Sequence, residues 1–513
     1  MKIFFICCEE PENPASFPLG VGLLSAMLKE QGHRVKGLHV HEALNSNVLD
    51  GVVEKVKQFD PDLIAYSCTS PAFQYIKIIA DRVSREINIP SICGGSHPTL
   101  YPLETLAENG FDYVGVGEGE KSLIEFAASL EKGEDCSKIP GILNKNNHKG
   151  NSKCNLYPLV KDLDSLPWTD YDVLGDDFVK RLTSGGWLRY ISARGCPYNC
   201  DYCHIPMFKK IYSEGINTSV GKLGYIRLRS VDSMIAEISS MVSKYDLKVI
   251  NFMDDLFCLK KSRTLEFCDK FKNQLPESTG YSIQTHLQHM DEEVLDALYD
   301  SRCLRVVVGI ESGTQRILNL LNRKTTPDMI TEKLSIMVKR QFPLGTWSLV
   351  ILGNPTETYE EMVETLKLNA EVLVERVKFN IMAPYPNSKL YDFCIENNLL
   401  WEDSETQEFK FRNISCLKFP EKEKAFLEKL LDISHWYMNL SAPLELEQYY
   451  QPMIEEVEQI GPGEWNKVRE KYLKKDAQLL NSLENKKIPH YRFVLKGKVY
   501  SNVIGLLDGR VSF

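Results

Sequence analysis

The chain has 513 residues, 43% hydrophobic and 26% charged, an ordinary globular composition with length for two to four domains. A formal net charge of -9 argues against general nucleic-acid binding, because no surplus of cations is present to neutralise phosphates. No apolar run approaches the ~20 residues of a membrane span, and fourteen cysteines with no secretion signal read as reduced thiols in a cytoplasmic protein.

Residues 2–7 read as a short buried strand, and residues 20–31 as a helix ending at Gly32. Strands over 33–39 and 63–67, a helix over 71–86, a strand over 91–94, the segment 103–109 and a short strand over 113–116 follow. Strands alternating with helical patterns predict a doubly wound α/β parallel sheet, with ligands bound outside the carboxyl ends of the strands. Those ends carry Ser67, Cys68, Thr69 and Ser70, then Gly94, Gly95 and His97, then Gly117 and Glu118. Small residues there let a large flat ligand approach the backbone. A dinucleotide fits poorly, since Gly20-Val21-Gly22-Leu23-Leu24-Ser25 lacks the third glycine and follows a long loop rather than the strand itself.

A polar, turn-rich stretch over 145–151 and the segment Leu163-Asp164-Ser165-Leu166-Pro167 mark a linker. Strand–helix pairs then run to about residue 400, with strands over 188–192, 249–253, 281–285, 305–310, 346–352 and 376–381. After residue 400 the pattern becomes helical, over 421–439, 444–460 and 465–483, the first with an apolar stripe at Phe426, Leu430, Ile433 and Tyr437. Residues 491–513 alternate like a hairpin around Lys496-Gly497-Lys498.

Directly after the strand at 188–192 comes Ala193-Arg194-Gly195-Cys196-Pro197-Tyr198-Asn199-Cys200-Asp201-Tyr202-Cys203. Three thiolates spaced C-x3-C-x2-C suit a [4Fe–4S] cube, which they hold while one iron stays open to a small molecule. The alternatives are buried structural cysteines or a zinc site short of a fourth ligand, although zinc favours paired C-x2-C units. The remaining cysteines show no further C-x2-C pair, so a single cluster is expected.

The cysteine run resembles the signature of the radical S-adenosylmethionine (radical SAM) superfamily. Gly309-Ile310-Glu311-Ser312-Gly313 and Leu352-Gly353-Asn354-Pro355-Thr356-Glu357-Thr358 resemble two of its later segments. Pro18-Leu19-Gly20, Gly94-Gly95-x-His97-Pro98 and Gly117-Glu118-Gly119-Glu120 resemble the cobalamin-binding domain that precedes many radical SAM domains. The resemblance implies a Rossmann-like cobalamin domain over 1–140, a linker over 141–185, a partial (β/α)6 barrel over 186–400 and a helical substrate-capping region over 401–513.

It also implies cofactors and roles. Cys196, Cys200 and Cys203 would ligate the cluster, and S-adenosylmethionine would lie against Tyr202, Asp254, Asp255, Gln284, Glu311, Ser312 and Gly353. Asp254 and Asp255 have an alternative as helix caps, and Gln284 or His286 as core polar contacts. Cobalamin would lie against Ser67–Ser70, Gly94, Gly95, Gly117 and Glu118, with His97 capping the loop or touching the corrin edge. No D-x-H-x-x-G supplies a histidine for cobalt from below. The implied reaction is methylation of an unactivated carbon through methylcobalamin. The alternatives are a cyclase or rearrangement of the anaerobic porphyrin-ring type, and a non-catalytic cobalamin or iron–sulfur sensor. Expected partners are a small-molecule or peptide substrate and a reductant such as flavodoxin or ferredoxin, with no nucleic acid and no integral membrane segment.

Overall fold

The structure is a computed structural model that describes residues 1–9, 16–145, 154–401, 415–495 and 499–504. The chain divides into two units, Met1–Pro197 with His204–Ile250, and Tyr198–Cys203 with Asn251–Phe513.

The first unit is built on strands β1 (Lys2–Cys8), β2 (Arg34–Val40), β3 (Leu63–Ser67), β4 (Ser91–Gly94), β5 (Tyr113–Gly115) and β6 (Ile142–Asn144), in the order β2-β1-β3-β4-β5-β6. Pairing is parallel from β2 to β5, and β6 closes the edge antiparallel. Six of the seven residues of β1 are buried, as a central parallel strand covered on both faces requires. Chain order reverses between β1 and β3, and that switch point opens a crevice at the carboxyl ends.

Two elements of this sheet are not marked by the sequence pattern. Helix Ser46–Phe59 buries Val52, Val53 and Val56 against the sheet, and Asn45 caps it by accepting the Val48 N–H at 3.1 Å. Its run of valines and a glycine has low helical propensity, and packing of one apolar stripe overrides it. Strand β6 falls inside the stretch that reads as linker, where three residues are too few for a periodic signal.

The first unit continues through β7 (Trp187–Tyr190), β8 (Ala193–Arg194), β9 (Arg227–Leu228) and the start of β10 (Val249–Phe252). Strands β8 and β9 pair antiparallel, and β7 leads into the neighbourhood of β10 through Gly186, whose carbonyl accepts from Lys248 and Val249 at 2.8 and 2.9 Å. Within this unit ion pairs reach across residue 140: Arg227 and Arg194 bind Glu118, and Lys29 binds Asp170 at 2.6 Å.

In the second unit the sheet continues from β10 through β11 (Gly280–Thr285), β12 (Cys303–Glu311), β13 (Thr346–Leu352) and β14 (Arg376–Ile381) to β16 (Val499–Ile504) and β15 (His490–Leu495). Pairing is parallel from β11 to β14, the wall of the partial barrel. In β13 fully buried and half-buried residues alternate. The buried set faces the helices, since Ser348 hydrogen-bonds Asn369 of helix Tyr359–Glu371, leaving Trp347, Leu349 and Ile351 on the opposite, inner face. That helix starts on a capping box written in the sequence, with Thr358 and Glu361 exchanging hydrogen bonds.

Residues beyond 400 do not stand apart from the barrel unit. Helix Glu421–Ser441 lays Phe426, Leu430, Ile433 and Tyr437 into the core, with the Phe426 ring edge-on to Tyr359 at 5.0 Å. Helices Glu447–Glu458 and Trp465–Asn485 follow. The terminal hairpin adds β16 antiparallel to β14, which lengthens the sheet. Its turn, Lys496-Gly497-Lys498, lies outside the described residues, as do residues 146–151 of the polar stretch. Among the described residues no helix is long and apolar enough to cross a membrane.

Ile433 is fully buried, so Ile433→Ala should destabilise the second unit by about 2–5 kcal/mol. Urea unfolding followed by far-UV circular dichroism measures the change, and a loss under 1 kcal/mol contradicts the packing described.

Candidate functional site

A cavity of about 320 Å³ opens at the carboxyl ends of the first sheet. Ser67, Gly94, Gly95, Gly117 and Glu118 line it, with apolar walls from Leu19, Leu23, Leu24 and Tyr66. Leu163, Leu166 and Pro167 of the supposed linker close another side. Adjacent glycines differ in purpose here. A Cβ on Gly94 meets nothing within 4 Å, so this position keeps the cavity open. Gly95 has φ +111, and a Cβ there would stand 2.5 Å from the Cys68 carbonyl oxygen, so backbone conformation demands this one.

Cys68, Thr69, Ser70 and His97 do not line the cavity. Cys68 is buried with its sulfur 3.9 Å from that of Cys93. Thr69 precedes helix Ser70–Ser84, and the Ser70 hydroxyl lies 3.3 Å from His97 Nδ1. The His97 ring stacks on Phe73 at 3.8 Å, and burial pushes its pKa down to about 4.

Glu118 is the most constrained group of this wall. Arg227 donates to both its oxygens, at 2.8 and 2.7 Å, and Arg194 Nη1 reaches it at 2.9 Å and Glu120 at 2.6 Å. Burial acts to raise the Glu118 carboxyl, and the two guanidiniums outweigh it and hold it below the usual range. The Gly-Glu-Gly-Glu run thus anchors the residue just before Gly195 and Cys196. Arg194 lies in the quoted cysteine run without a role of its own there, and Arg227 lies outside every quoted motif.

In the second unit the loop Tyr198–Cys203 is tied down by backbone bonds. Asp201 N–H donates to the Leu321 carbonyl at 3.0 Å, Asn322 Nδ2 to the Asn199 carbonyl at 2.9 Å, and Leu390 N–H to the Asp201 carbonyl at 3.1 Å. Cys200 is buried, Cys196 and Cys203 are half-buried, and none of the three is in a disulfide. Arg323 Nη1 donates to Cys200 Sγ at 3.7 Å, which sets a buried guanidinium beside this sulfur. Among the described residues no three His, Cys, Asp or Glu side chains gather as they would around one metal ion. A cube differs, because its protein ligands bind separate irons at separate corners.

Glu311 ends β12 in a left-handed conformation, φ +68, where the register with β13 shifts. Its carboxylate folds back over Gly309, so any side chain at 309 would collide with it. Arg323 Nη2 donates to the Gly309 carbonyl at 2.5 Å and lies 3.8 Å from Glu311 Oε1, and Tyr202 hydrogen-bonds the same carboxyl. Burial still raises the Glu311 carboxyl against both partners. One network therefore joins Cys200, Arg323, Glu311 and Tyr202, and Arg323 is the member that sequence reasoning missed.

The other expected SAM residues have the following surroundings. Asp254 is buried and Asp255 exposed, directly after β10. Gln284 sits on β11 with its Nε2 4.0 Å from Met253 Sδ. Ser312 turns its hydroxyl to Thr314 and Thr365, each at 3.4 Å, joining the strand end to helix Tyr359–Glu371. A Cβ on Gly353 would press Leu427 at 3.0 Å, so this glycine lets helix Glu421–Ser441 approach. His286 stacks on Tyr198 at 4.4 Å, and burial, helped by Arg323 and His289, pushes its pKa down to about 3.

Residues 15–127 match the B12 binding domain and residues 190–368 the radical SAM superfamily. An uncharacterized methyltransferase of Pyrococcus horikoshii is 30% identical over 387 residues, 75% of this chain and 79% of that one. The anaerobic magnesium-protoporphyrin IX monomethyl ester cyclase of Cereibacter sphaeroides is 22% identical, over 73% of this chain and 60% of its own length. Among solved structures, the cobalamin-dependent SAM radical enzyme OxsB, with aqua-cobalamin and SAM bound, aligns with TM-score 0.66 at 15% identity, covering 89% of this chain and 71% of that one. The chain belongs to the cobalamin-dependent radical SAM enzymes, with a B12-binding domain followed by a radical SAM domain.

Two outcomes follow from the first cavity. Gly94→Leu should weaken cobalamin uptake roughly tenfold or more, about 1.4 kcal/mol, with the melting temperature unchanged, whereas Gly95→Leu should lose the fold. Absorbance titration with hydroxocobalamin and thermal denaturation separate the two. The depressed Glu118 carboxyl contributes stability that is present above its unfolded pKa and disappears as pH falls through the lower folded value. Glu118→Gln should therefore flatten the acid limb of the unfolding free energy against pH, and an unaltered limb contradicts the ion-pair account.

Proposed function

We propose that this enzyme methylates an unactivated carbon of a small-molecule or peptide substrate. The observation that carries the reading is the network of Cys200, Arg323, Glu311 and Tyr202 in a chain that also holds a glycine-lined crevice at a cobalamin-type switch point.

When bound, the cluster with SAM supplies an adenosyl radical able to take a hydrogen atom, and cobalamin supplies the methyl group. The chain's own residues do the rest. Cys196, Cys200 and Cys203 would hold the cluster. Glu311 offers a carboxylate at the strand end for the SAM ammonium, a charge-assisted bond, while Arg323 and Tyr202 keep it from rotating away. Gly94 leaves room for the corrin, and Leu19, Leu23, Leu24 and Tyr66 exclude water from it. The net charge of -9 fits a substrate other than nucleic acid, and a flavodoxin or ferredoxin of the cytoplasm suits the one-electron requirement.

Cyclisation is the second reading, favoured by the similarity to the porphyrin-ring cyclase. Anaerobic incubation of the reconstituted protein with cobalamin, SAM and a low-potential reductant distinguishes them. Methylation predicts S-adenosylhomocysteine together with 5′-deoxyadenosine. A cyclase would give 5′-deoxyadenosine alone, and a sensor neither. Glu311→Ala should keep the cluster but weaken SAM binding by about 1.5–3 kcal/mol, roughly tenfold to a hundredfold.

A further inference from the structure

Two buried N–H groups beside the cysteine loop have no acceptor among the described residues: Arg323 Nε and His286 Nε2. Buried donors in folded proteins are almost always paired, so an orphan next to a functional loop asks for an acceptor that the chain does not supply.

The His286 proton can be placed. Its Nδ1 accepts the Gln288 backbone N–H at 3.2 Å, so Nδ1 is bare and the neutral ring carries its hydrogen on Nε2. Ring orientation is set from two sides. Tyr198 stacks on it with planes 19° apart, and the Tyr198 hydroxyl donates to Gln288 Oε1 at 2.6 Å. Tyr198 itself lies in the cysteine loop, between Cys196 and Cys200.

Arg323 is held as firmly. Its two terminal nitrogens reach the Gly309 carbonyl at 2.5 Å and Cys200 Sγ at 3.7 Å, and its side chain is 9% exposed. Glu311 at 3.8 Å is too far for a hydrogen bond to satisfy the remaining donors. A buried guanidinium thus stands against a cysteine sulfur with an N–H to spare, and a buried imidazole N–H stands against the same loop.

We propose that Arg323 and His286 are positioning residues that donate hydrogen bonds to the sulfurs of the iron–sulfur cluster and raise its reduction potential. This rests on the family reading above. Its physical basis is electrostatic. Reduction adds one negative charge to the cluster, and a cation or oriented N–H dipole in a low-dielectric site stabilises the more negative state. Arg323 carries the larger effect because it brings a full charge; His286 contributes a dipole.

The test is the midpoint potential of the reconstituted cluster, from anaerobic redox titration monitored by paramagnetic resonance, first without SAM and then with it. Wild type must load iron; failure there removes the family reading and not this inference alone. Arg323→Gln should make the cluster harder to reduce by tenfold or more in the reduction equilibrium, about 59 mV per tenfold for one electron. His286→Phe, which keeps the stack on Tyr198, should shift it the same way by less. Arg323→Lys should restore most of the potential, and it serves in place of Arg323→Gln should that variant not load iron. Equal potentials in wild type, Arg323→Gln and His286→Phe would overturn the proposal. A shift that occurs only with SAM present would overturn it too, since the acceptor would then be the SAM carboxylate.

Discussion

The first unit depends on the pairing of Arg194 and Arg227 with Glu118 and Glu120. Removing these charges from water is expensive, and their attraction returns little net stability, so the arrangement is best understood as a device of register. Glu118 follows the last strand of the parallel ladder, and Arg194 stands one residue before Gly195. The carboxyl end of the sheet and the strand pair β8–β9 are thereby held in one orientation within the first unit. The two bonds from Arg227 add direction, because a fork of donors matches both carboxylate oxygens only in one plane.

The second unit meets a related demand by strain. At the end of β12 the ladder slips by one residue and Glu311 adopts a left-handed backbone, which costs on the order of 1–3 kcal/mol for a residue with a Cβ. The slip turns the carboxylate back over Gly309 instead of along the strand. Arg323 then spans the Gly309 carbonyl, the Glu311 carboxylate and the Cys200 sulfur. A wall of regular strands supplies rigidity, and the irregular residue at its rim supplies direction.

Much of the architecture was legible because long periodic segments repeat. The parallel strands of both sheets, the capped helices between them and the stripe at Phe426, Leu430, Ile433 and Tyr437 all follow from spacing. What escaped has local causes. Helix Ser46–Phe59 is written in valines that favour strands, and β6 is three residues long. Side-chain charges, which leave no mark on backbone periodicity, tie Asp170, Arg194 and Arg227 to the N-terminal sheet and its helices. Pairing of β16 with β14 likewise brings the terminal hairpin into the barrel sheet, and such a long-range ladder leaves no trace in neighbouring residues.

Within the candidate site, motif residues record two different constraints that a linear pattern cannot separate. Gly94 and Gly95 are adjacent, yet one leaves space for a ligand and the other satisfies a backbone angle. Glu311 and Ser312 are adjacent too, and one faces Arg323 and Tyr202 while the other bonds Thr365 inside the helical layer. Gly353 belongs to a segment that resembles a cofactor-lining turn, and it also has φ +71 and leaves room for the Leu427 side chain. Conversely Arg323 lies in an unremarkable run, Leu321-Asn322-Arg323-Lys324, and its importance arises because Leu321 and Asn322 dock the cysteine loop by their backbone and side-chain bonds. The geometry around Glu311 and Cys200 thus depends on a residue identified by its contacts, and the recognisable motif supplies the scaffold on which those contacts are made.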